Sequence, residues 1–415
     1  MSKFLVKKTD ELHGTVEIDG AKNAALPILA ATVLSNEPCK IHDVPNLSDV
    51  KEMCKLLEHL GAQNMRRGKS VSVDSGAVNN FVAPYEMVGK FRGSFLVAGP
   101  LLAKYHKAKV SLPGGCPIGS RPIDLHLKGF AAMGAEISHE NGYVELSAKR
   151  LRGTKLYLDF PSVGATENIM MAACLAEGQT IIENAATEPE ITDLATFLMC
   201  MGADIKGAGT DTIRINGVRE LGGATHTVIP DRIEAGTFMA MAALIGGSVT
   251  IQNVVCEHVK PITAKLKEIG ADVQESEDEI CVSRKKELHA SDIKTLPFPG
   301  FPTDMQSQFT TLMSLVSGTS IIVETVFENR FMHVGELRRM GANIKVEGCT
   351  AVIEGVDALS AATVKATDLR AGAALVMAGM CADGDTVIED IRHIDRGYYQ
   401  MEKKVAALGG KMERI

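Results

Sequence analysis

The sequence predicts an α/β protein with two domains, each made of three repeated helix–strand–helix–hairpin units with inner helices and outer sheets. Three observations predict this fold. A short Gly-Ala or Gly-Gly phrase recurs six times at nearly even spacing, an amphipathic segment precedes each copy, and an alternating segment follows it in most copies. The chain has 415 residues, which is too long for one ordinary core and favours two domains.

The recurring phrases, such as "MGADI" and "IGADV", mark the repeat. Their first glycines are Gly61, Gly134, Gly202, Gly270, Gly341 and Gly409, at intervals of 73, 68, 68, 71 and 68 residues. Self-similarity at a fixed period indicates a repeated structural unit. Each glycine follows the last apolar turn of a predicted helix, where a left-handed C-terminal residue is expected.

Five of the six units contain two predicted helices of different character. The first is apolar on all sides, as in "TFMAMAALI", and the second is amphipathic, as in "ITAKLKEIG". A strand lies between them, and a hairpin such as "ADVQESEDEICVS" follows the second helix. Because the first helices have no polar face, we expect them to be buried inside the domain with the sheets outside.

The two ends of the chain predict how the units are divided. The last copy stops at "GGKMERI" without a second hairpin strand, and the N-terminal "KFLVKKT" is strand-like without a repeat of its own. We therefore expect the N-terminal strand to complete the last copy. The first domain would be residues 22–229, and the second, discontinuous domain would be residues 1–21 and 230–415.

Composition narrows the class of function. The chain is 45% hydrophobic with a net charge of −7, which is typical of a soluble protein and argues against nucleic acid or an anionic membrane as a partner. The N-terminus lacks the apolar core of a signal peptide, and no apolar run reaches membrane-spanning length. Nine cysteines without a CxxC pair and 11 histidines without ligand spacing predict no metal and no cofactor. A cytoplasmic protein is expected.

Charged and small polar residues occupy equivalent places in the repeat. At 37 to 39 residues before a glycine mark lie Lys22, Gly164, Asp231, Asp304 and Arg370. Each begins an apolar helix, where free N–H groups and the helix dipole favour anions. Asp304 and Asp368 also fit the simpler interpretation of helix N-caps, and Thr303 with Gln306 fits a capping box. The pattern predicts a site for phosphate-bearing ligands.

A second loop of the unit adds arginines in half of the copies. Arg121, Arg330 and Arg396 lie 11 to 13 residues before a mark, and the other three copies have none there. A purely structural rule would place arginine in every copy, so we expect one asymmetric site. Arg121 closes the glycine-rich segment "SLPGGCPIGSRP", whose composition predicts a mobile loop carrying Cys116.

Long motifs identify a family. The segments concerned are "DGAKNAALPILAA", "SLPGGCPIGSRPIDLH", "FPTDMQSQFT", "VFENRFMHVGELRRMGA", "ATDLRAGAALV" and "HIDRGY". They resemble the enolpyruvyl transferases, and in particular the UDP-N-acetylglucosamine 1-carboxyvinyltransferases, from end to end. The resemblance implies two inside-out, barrel-like α/β domains of three repeats each, which agrees with the repeat counted above.

The resemblance also implies a reaction. An enolpyruvyl group would move from phosphoenolpyruvate to the 3′-hydroxyl of UDP-N-acetylglucosamine by addition and elimination, releasing phosphate in the first committed step of peptidoglycan synthesis. Both substrates are small molecules. Two alternatives stay open at this point: transfer to shikimate 3-phosphate, and a non-catalytic nucleotide-sugar sensor. Fosfomycin, an epoxide mimic of phosphoenolpyruvate, is expected to alkylate Cys116.

Site residues follow from the same resemblance. The implied catalytic residues are Cys116, Asp304, Lys22 and Arg396. The implied phosphoenolpyruvate ligands are Lys22, Asn23, Arg121, Arg330, Arg370 and Arg396. The implied nucleotide-sugar ligands are Arg92, Arg121, Pro122, Ile123, Asp124, Leu125, Ser162, Val163, Gly164, Asp304 and Val326. Phe160 stands where the family often has a basic residue.

The role of Cys116 has two versions. Protonation of the substrate methylene requires the thiol, whereas covalent addition to phosphoenolpyruvate requires the thiolate, which a nearby arginine favours. The sequence leaves both open. Cysteine and arginine on one glycine-rich loop are expected to act as a lid, with an open form and a ligand-bound closed form.

Overall fold

The chain divides into two compact units. The structure is a computed structural model that describes residues 2–112, 119 and 123–415. The N-terminal unit contains residues 20–112 and 123–229, and the C-terminal unit contains residues 2–19 and 230–415. Each unit is treated by itself below.

Short strands and helices alternate along the described chain. The strands, β1 to β24 in chain order, are Phe4–Lys7, Leu12–Glu17, Cys39–His42, Gln63–Arg67, Ser70–Asp74, Val82–Ala83, Lys107–Ser111, Glu136–Glu140, Tyr143–Ser147, Lys155–Tyr157, Gln179–Glu183, Asp204–Lys206, Thr212–Asn216, Thr225–Thr227, Gly247–Gln252, Asp272–Glu275, Glu279–Ser283, Ile293–Lys294, Thr319–Val323, Asn343–Glu347, Thr350–Glu354, Thr363–Lys365, Asp385–Glu389 and Lys411–Arg414. The α-helices, α1 to α13, are Lys22–Ala31, Ser48–Leu60, Tyr85–Val88, Ala98–Tyr105, Asp124–Ala132, Val163–Ala173, Pro189–Cys200, Arg232–Ile245, Cys256–Glu268, Gln306–Met313, His333–Arg339, Leu369–Cys381 and Met401–Ala407. Four 3₁₀ helices are Thr32–Leu34, Arg92–Val97, Thr303–Met305 and Ile391–Arg396.

Six four-stranded sheets form in the described residues, three in each unit. Those of the N-terminal unit have the strand orders β14-β3-β5-β4, β6-β7-β9-β8 and β10-β11-β13-β12. In each sheet the strand after the inner helix pairs antiparallel with the hairpin of its own copy. A short parallel edge strand comes from the preceding copy, and β14 of the third copy pairs with β3 of the first. The three copies are therefore linked in a ring.

The C-terminal unit repeats this arrangement, and the N-terminus completes it. Its sheets have the orders β16-β17-β15-β2, β18-β19-β21-β20 and β22-β23-β1-β24. β1 pairs antiparallel with both β23 and β24, with Phe4 opposite Ile388 and Arg414. The prediction that the N-terminal strand supplies the missing hairpin strand of the last copy is confirmed.

The inner helices are buried, as their apolar sequences predict. Helix α6 contacts both α1 and α4 in the N-terminal unit, and α8, α10 and α12 contact one another in the C-terminal unit. Every residue of α8 from Ile233 to Ile245 is buried. Two polar side chains of these helices are paired internally: the amide of Gln308 donates to Thr237, and the hydroxyl of Thr311 donates to the carbonyl of Ala374. The predicted class, with inner helices and outer sheets, is confirmed.

The six glycine marks adopt the conformation that their position requires. Their φ angles lie between 89° and 108°, in the left-handed region that side chains with a Cβ rarely adopt. Each ends an outer, amphipathic helix, and this part of the prediction is also confirmed. Among the described residues, no helix combines the length and apolarity needed to cross a membrane.

Candidate active site

Two inner helices of the N-terminal unit, α1 and α6, begin within one residue of the positions that the repeat singled out. Helix α1 begins at Lys22, whose ammonium group lies 3.4 Å from the Asp49 carboxylate in the first turn of α2. Both side chains are more than nine-tenths buried. Asn23, the next residue of α1, is partly exposed. The pair holds a buried cation in a fixed position at the start of an inner helix.

The nucleotide-sugar candidates of this unit lie around the starts of α5, α6 and the 3₁₀ helix Arg92–Val97. Ser162 is the N-cap of α6, and its hydroxyl accepts from the Ala165 N–H. Val163 and Gly164 form the first turn, where N–H groups have no acceptor within the helix. Arg92 begins a 3₁₀ helix and is partly exposed. This end of the unit therefore combines a cation with backbone donors, as an anion requires.

Helix α5 carries three more candidates in different settings. Ile123 is buried at its N-cap, Asp124 is exposed in the first turn, and Leu125 is partly buried. Cys116, Arg121 and Pro122 lie outside the described residues. Phe160 is exposed just before α6.

In the C-terminal unit, Asp304 is the centre of an ion cluster. Its Oδ1 lies 2.7 Å from Nη2 of Arg330, and its Oδ2 lies 3.1 Å from Nη2 and 3.2 Å from Nε of Arg370. The two arginine side chains are 6% and 2% exposed, whereas the Asp304 side chain is 25% exposed. The structure thus brings three predicted site residues together, with the carboxylate as the accessible member.

Arg370 is fixed from several sides. It occupies the first turn of α12 behind the N-cap Asp368, and its guanidinium lies 5.5 Å from the centre of the Tyr398 ring. Burial alone would lower the pKa of Arg370, but Tyr398, Asp304 and Asp231 raise it above its ordinary value. The guanidinium therefore remains charged although it is buried.

Arg396 and Val326 lie on other segments of the same unit. Arg396 ends the 3₁₀ helix that packs against α12, and it is partly exposed. The Val326 N–H donates to the carboxylate of Glu324 at 2.9 Å, so only its carbonyl is left to offer a ligand.

The capping box predicted for Thr303 and Gln306 is wrong. The Thr303 hydroxyl donates to Glu324 and accepts from Arg330, both at 2.9 Å. The segment forms a 3₁₀ turn with Pro302 at its N-cap and no side-chain cap. Asp304 is therefore not an N-cap, whereas Asp368 is, because it accepts from the N–H groups of Arg370 and Ala371.

Two further polar residues escaped the sequence analysis. Glu324 is 2% exposed, follows β19, and accepts from Thr295, Thr303, Val326 and Phe327. Asp49 lies beside Ser48, where other copies carry an arginine. A charged residue at the end of a strand or in the first turn of a helix was the available signal in both cases. In the described part of the chain, no group of three His, Cys, Asp or Glu side chains could hold a metal ion.

Comparison with known proteins decides the family. The family described as "EPSP synthase (3-phosphoshikimate 1-carboxyvinyltransferase)" matches residues 6–405. The chain is an enolpyruvyl transferase of this family. The UDP-N-acetylglucosamine 1-carboxyvinyltransferase 1 of Caldanaerobacter subterraneus subsp. tengcongensis is 60% identical to it, over 100% of this chain and 99% of the relative. The UDP-N-acetylglucosamine 1-carboxyvinyltransferase 2 of Carboxydothermus hydrogenoformans is 58% identical over the whole of both chains.

Solved structures show that this enolpyruvyl transferase shares the family fold. The enolpyruvyl transferase NikO from Streptomyces tendae superposes with a TM-score of 0.91 at 24% identity, covering 100% of this chain and 98% of the other. EPSP synthase from Acinetobacter baumannii gives a TM-score of 0.77 at 18% identity over the whole of both chains. The two-domain α/β class predicted from the repeat is the class of these structures.

Proposed function

We propose that this enolpyruvyl transferase moves the enolpyruvyl group of phosphoenolpyruvate to the 3′-hydroxyl of UDP-N-acetylglucosamine and releases phosphate. The observation that carries the proposal is the full-length identity of 52 to 60% to five relatives named for that acceptor. The name of the family model instead points to a phosphorylated shikimate, which makes that compound the competing acceptor. The product would enter peptidoglycan synthesis, a cytoplasmic pathway.

The reaction has two steps with defined proton movements. In the addition step, the 3′-oxygen bonds to C2 of phosphoenolpyruvate, C3 gains a proton, and the hydroxyl proton leaves to a base. In the elimination step, C3 loses a proton and the C2–phosphate bond breaks, which restores the double bond. An acid, a base and cations for one carboxylate and several phosphate groups are therefore required.

Asp304 suits the role of base. It is the accessible member of the ion cluster, and Arg330 and Arg370 hold its carboxylate in one orientation. The two guanidinium groups stabilise the ionised form, so the carboxylate is ready to accept a hydrogen bond from the sugar hydroxyl.

The remaining roles divide between the two substrates. Lys22, Arg121, Arg330, Arg370 and Arg396 would neutralise phosphoenolpyruvate, and Asn23 would also bind it. Arg92, residues 121–125, the first turn of α6 and Val326 would bind the nucleotide sugar. Cys116 would donate the proton to C3 or add to C2.

Phosphate release tests the proposal. Purified enzyme is incubated with phosphoenolpyruvate and either UDP-N-acetylglucosamine or shikimate 3-phosphate, and the product is weighed by mass spectrometry. We expect phosphate release and an enolpyruvyl product only with the nucleotide sugar. If phosphate were released only with shikimate 3-phosphate, that compound would be the acceptor instead. If UDP-N-acetylglucosamine bound without turnover, the protein would be a non-catalytic nucleotide-sugar sensor.

Fosfomycin tests the role of Cys116 separately. Intact-mass analysis after incubation is expected to show one adduct in the wild-type protein, and none in Cys116→Ala. Cys349→Ala, which removes an exposed thiol, serves as the matched control and should still form the adduct. An adduct that persists in Cys116→Ala would remove Cys116 from the proposed chemistry.

A further inference from the structure

His126 of α5 lies at the anion-binding end of α6 without having been singled out by the sequence. Its ring is nine-tenths buried and packs edge-on against Phe95, with ring centres 5.2 Å apart. Its Nε2 and Cε1 edge lies 3.4 and 3.2 Å from the point that a Cβ on Gly164 would occupy. The histidine edge therefore faces the first turn of α6.

Asn168 determines which ring nitrogen carries the proton. This residue is fully buried; its Oδ1 accepts from the Gly99 N–H at 2.7 Å, and its Nδ2 donates to the Phe95 carbonyl at 3.0 Å. These two backbone groups fix the orientation of the amide, because exchanging its O and N would place like groups together. The second N–H of Asn168 lies 3.1 Å from Nδ1 of His126. Nδ1 must accept, so the proton of the neutral ring is on Nε2.

The charge of the ring is also settled. Burial, with Arg92 as a second cause, lowers the pKa of His126 to about 3. The imidazole is therefore neutral at physiological pH, with one N–H donor. In the described part of the chain, no side chain or carbonyl accepts from Nε2. The Nε2–H of this largely buried ring is therefore available to donate to a ligand oxygen.

We propose that Nε2–H of His126 donates to the diphosphate of the nucleotide, and that Asn168 is the positioning residue that keeps the proton on that nitrogen. The donor would add to the first-turn N–H groups of α6 and to Arg92, in a chain that has Phe160 where a basic residue is frequent. This inference rests on the proposed function, since it takes the nucleotide diphosphate as the ligand. The observation behind it, a largely buried donor aimed at a helix N-terminus, is independent of the acceptor sugar.

The tautomer can be read directly. In protein labelled with ¹⁵N-histidine, the two ring nitrogens of His126 are assigned by comparison with His126→Gln. We expect a proton on Nε2 and none on Nδ1, and a shift of the Nε2 resonance when UDP is added. A proton on Nδ1 in the wild-type protein, or no response to UDP, would overturn the proposal.

Affinity for UDP, measured by calorimetry, provides the second readout. His126→Phe keeps the ring but loses the donor, and we expect binding about ten-fold weaker or more, as for a hydrogen bond to a charged group. His126→Gln places an amide N–H near the former Nε2 and should recover most of the affinity. His139→Phe, at an exposed position of β8, is the matched control. Equal affinity of wild type and His126→Phe would overturn the proposal.

Asn168→Ala tests the positioning role without placing a new charge in the core. We expect the ring to populate both tautomers, with KM for the nucleotide sugar raised about three-fold or more and kcat nearly unchanged, in a protein that retains its circular dichroism. A single Nε2–H tautomer in this variant would remove Asn168 from the role. If wild type binds UDP through His126 but does not turn over UDP-N-acetylglucosamine, the proposed function fails while this inference stands.

Discussion

Glu234, in the first turn of α8, should make the stability of the protein depend on pH. Its Oε1 accepts from Lys404 at 2.7 Å and its Oε2 accepts from the Asp19 N–H at 2.9 Å, while Lys404 also binds the Asp19 carboxylate at 2.8 Å. Two carboxylates thus share one ammonium group in a largely buried place. Burial raises the pKa of Glu234 to about 7; Lys404 acts in the opposite direction, and Asp19 raises it further.

The magnitude follows from the difference between the folded and unfolded pKa of Glu234. The pKa of Glu234 is about 7 in the folded protein, against the ordinary value of 4.5 in the unfolded chain. The folded protein therefore binds the proton more tightly than the unfolded chain does. Stability from this group is therefore complete below pH 4.5 and is lost as the pH rises through 7. Each pH unit corresponds to about 1.4 kcal/mol, so the free energy of unfolding should fall by about 2.5 kcal/mol between pH 5 and pH 8 on account of Glu234.

Glu234→Gln removes this dependence while it keeps the shape of the side chain. Lys404 retains Asp19 as a partner, and the amide of the variant cannot ionise. We expect the free energy of unfolding of the variant, relative to wild type, to rise by about 2.5 kcal/mol from pH 5 to pH 8. Urea unfolding followed by circular dichroism at both pH values measures it, with Glu413→Gln as an exposed control. The reasoning would be refuted if the difference in free energy of unfolding between variant and wild type stayed constant, or fell, from pH 5 to pH 8. Such a result would show that the effect of Lys404 on the pKa outweighs that of burial.

Four further substitutions probe catalysis, packing and backbone conformation. Asp304→Asn should lower turnover by about 10²-fold or more with a small change in nucleotide-sugar affinity, since it removes the proposed base. Near-wild-type turnover in the phosphate-release assay would exclude that role. Phe309→Ala should lower the free energy of unfolding by about 3–5 kcal/mol in urea, because the ring is fully buried edge-on against Phe301, with centres 4.9 Å apart; a loss under about 1 kcal/mol would contradict it. Gly202→Ala should destabilise the protein by about 1 kcal/mol, because Gly202 has a φ of +108° although no atom would clash with a Cβ there. Gly335→Ala lies inside α11, also with open space around it, and should stabilise the protein by up to about 1 kcal/mol. If both variants shifted the thermal unfolding temperature in the same direction, the conformational explanation would be wrong.

The repeat made most of the fold predictable, because it is visible in local composition. Apolar helices, left-handed glycines and hairpins each follow from short stretches of sequence. The inner helix of the second copy was not recognised, since Ala98–Tyr105 is short and a 3₁₀ segment, Arg92–Val97, precedes it. The parallel edge strands were also missed. Strands of two or three residues such as Val82–Ala83 carry too few side chains for an alternating pattern to be detected.

Candidate-site residues were predictable from the sequence where they occupy equivalent positions in the repeat. Contacts between side chains on non-equivalent elements were not predictable. Asp304 and Arg370 occupy equivalent places in neighbouring copies, so their approach follows from the period. The partner of Lys22 does not, because Asp49 belongs to the outer helix of the same copy. Likewise, nothing in the sequence joins Asn168 to His126, which lie 42 residues apart on different helices.

The C-terminal unit shows how one backbone position acquires different roles. Asp231, Asp304 and Arg370 all lie at the starts of inner helices, where the dipole favours negative charge. Asp231 and Asp368 accept from first-turn N–H groups and are caps. Asp304 instead lies in a 3₁₀ turn without a side-chain cap, so its carboxylate is bound by arginines from two other segments. Asp231 and Asp368 use their carboxylates to cap a helix and so stabilise the fold. Asp304 lies in a different turn, so its carboxylate remains available for a ligand. The departure of Asp304 from the pattern of its own repeat is therefore the reason to propose it, rather than Asp231 or Asp368, as the base.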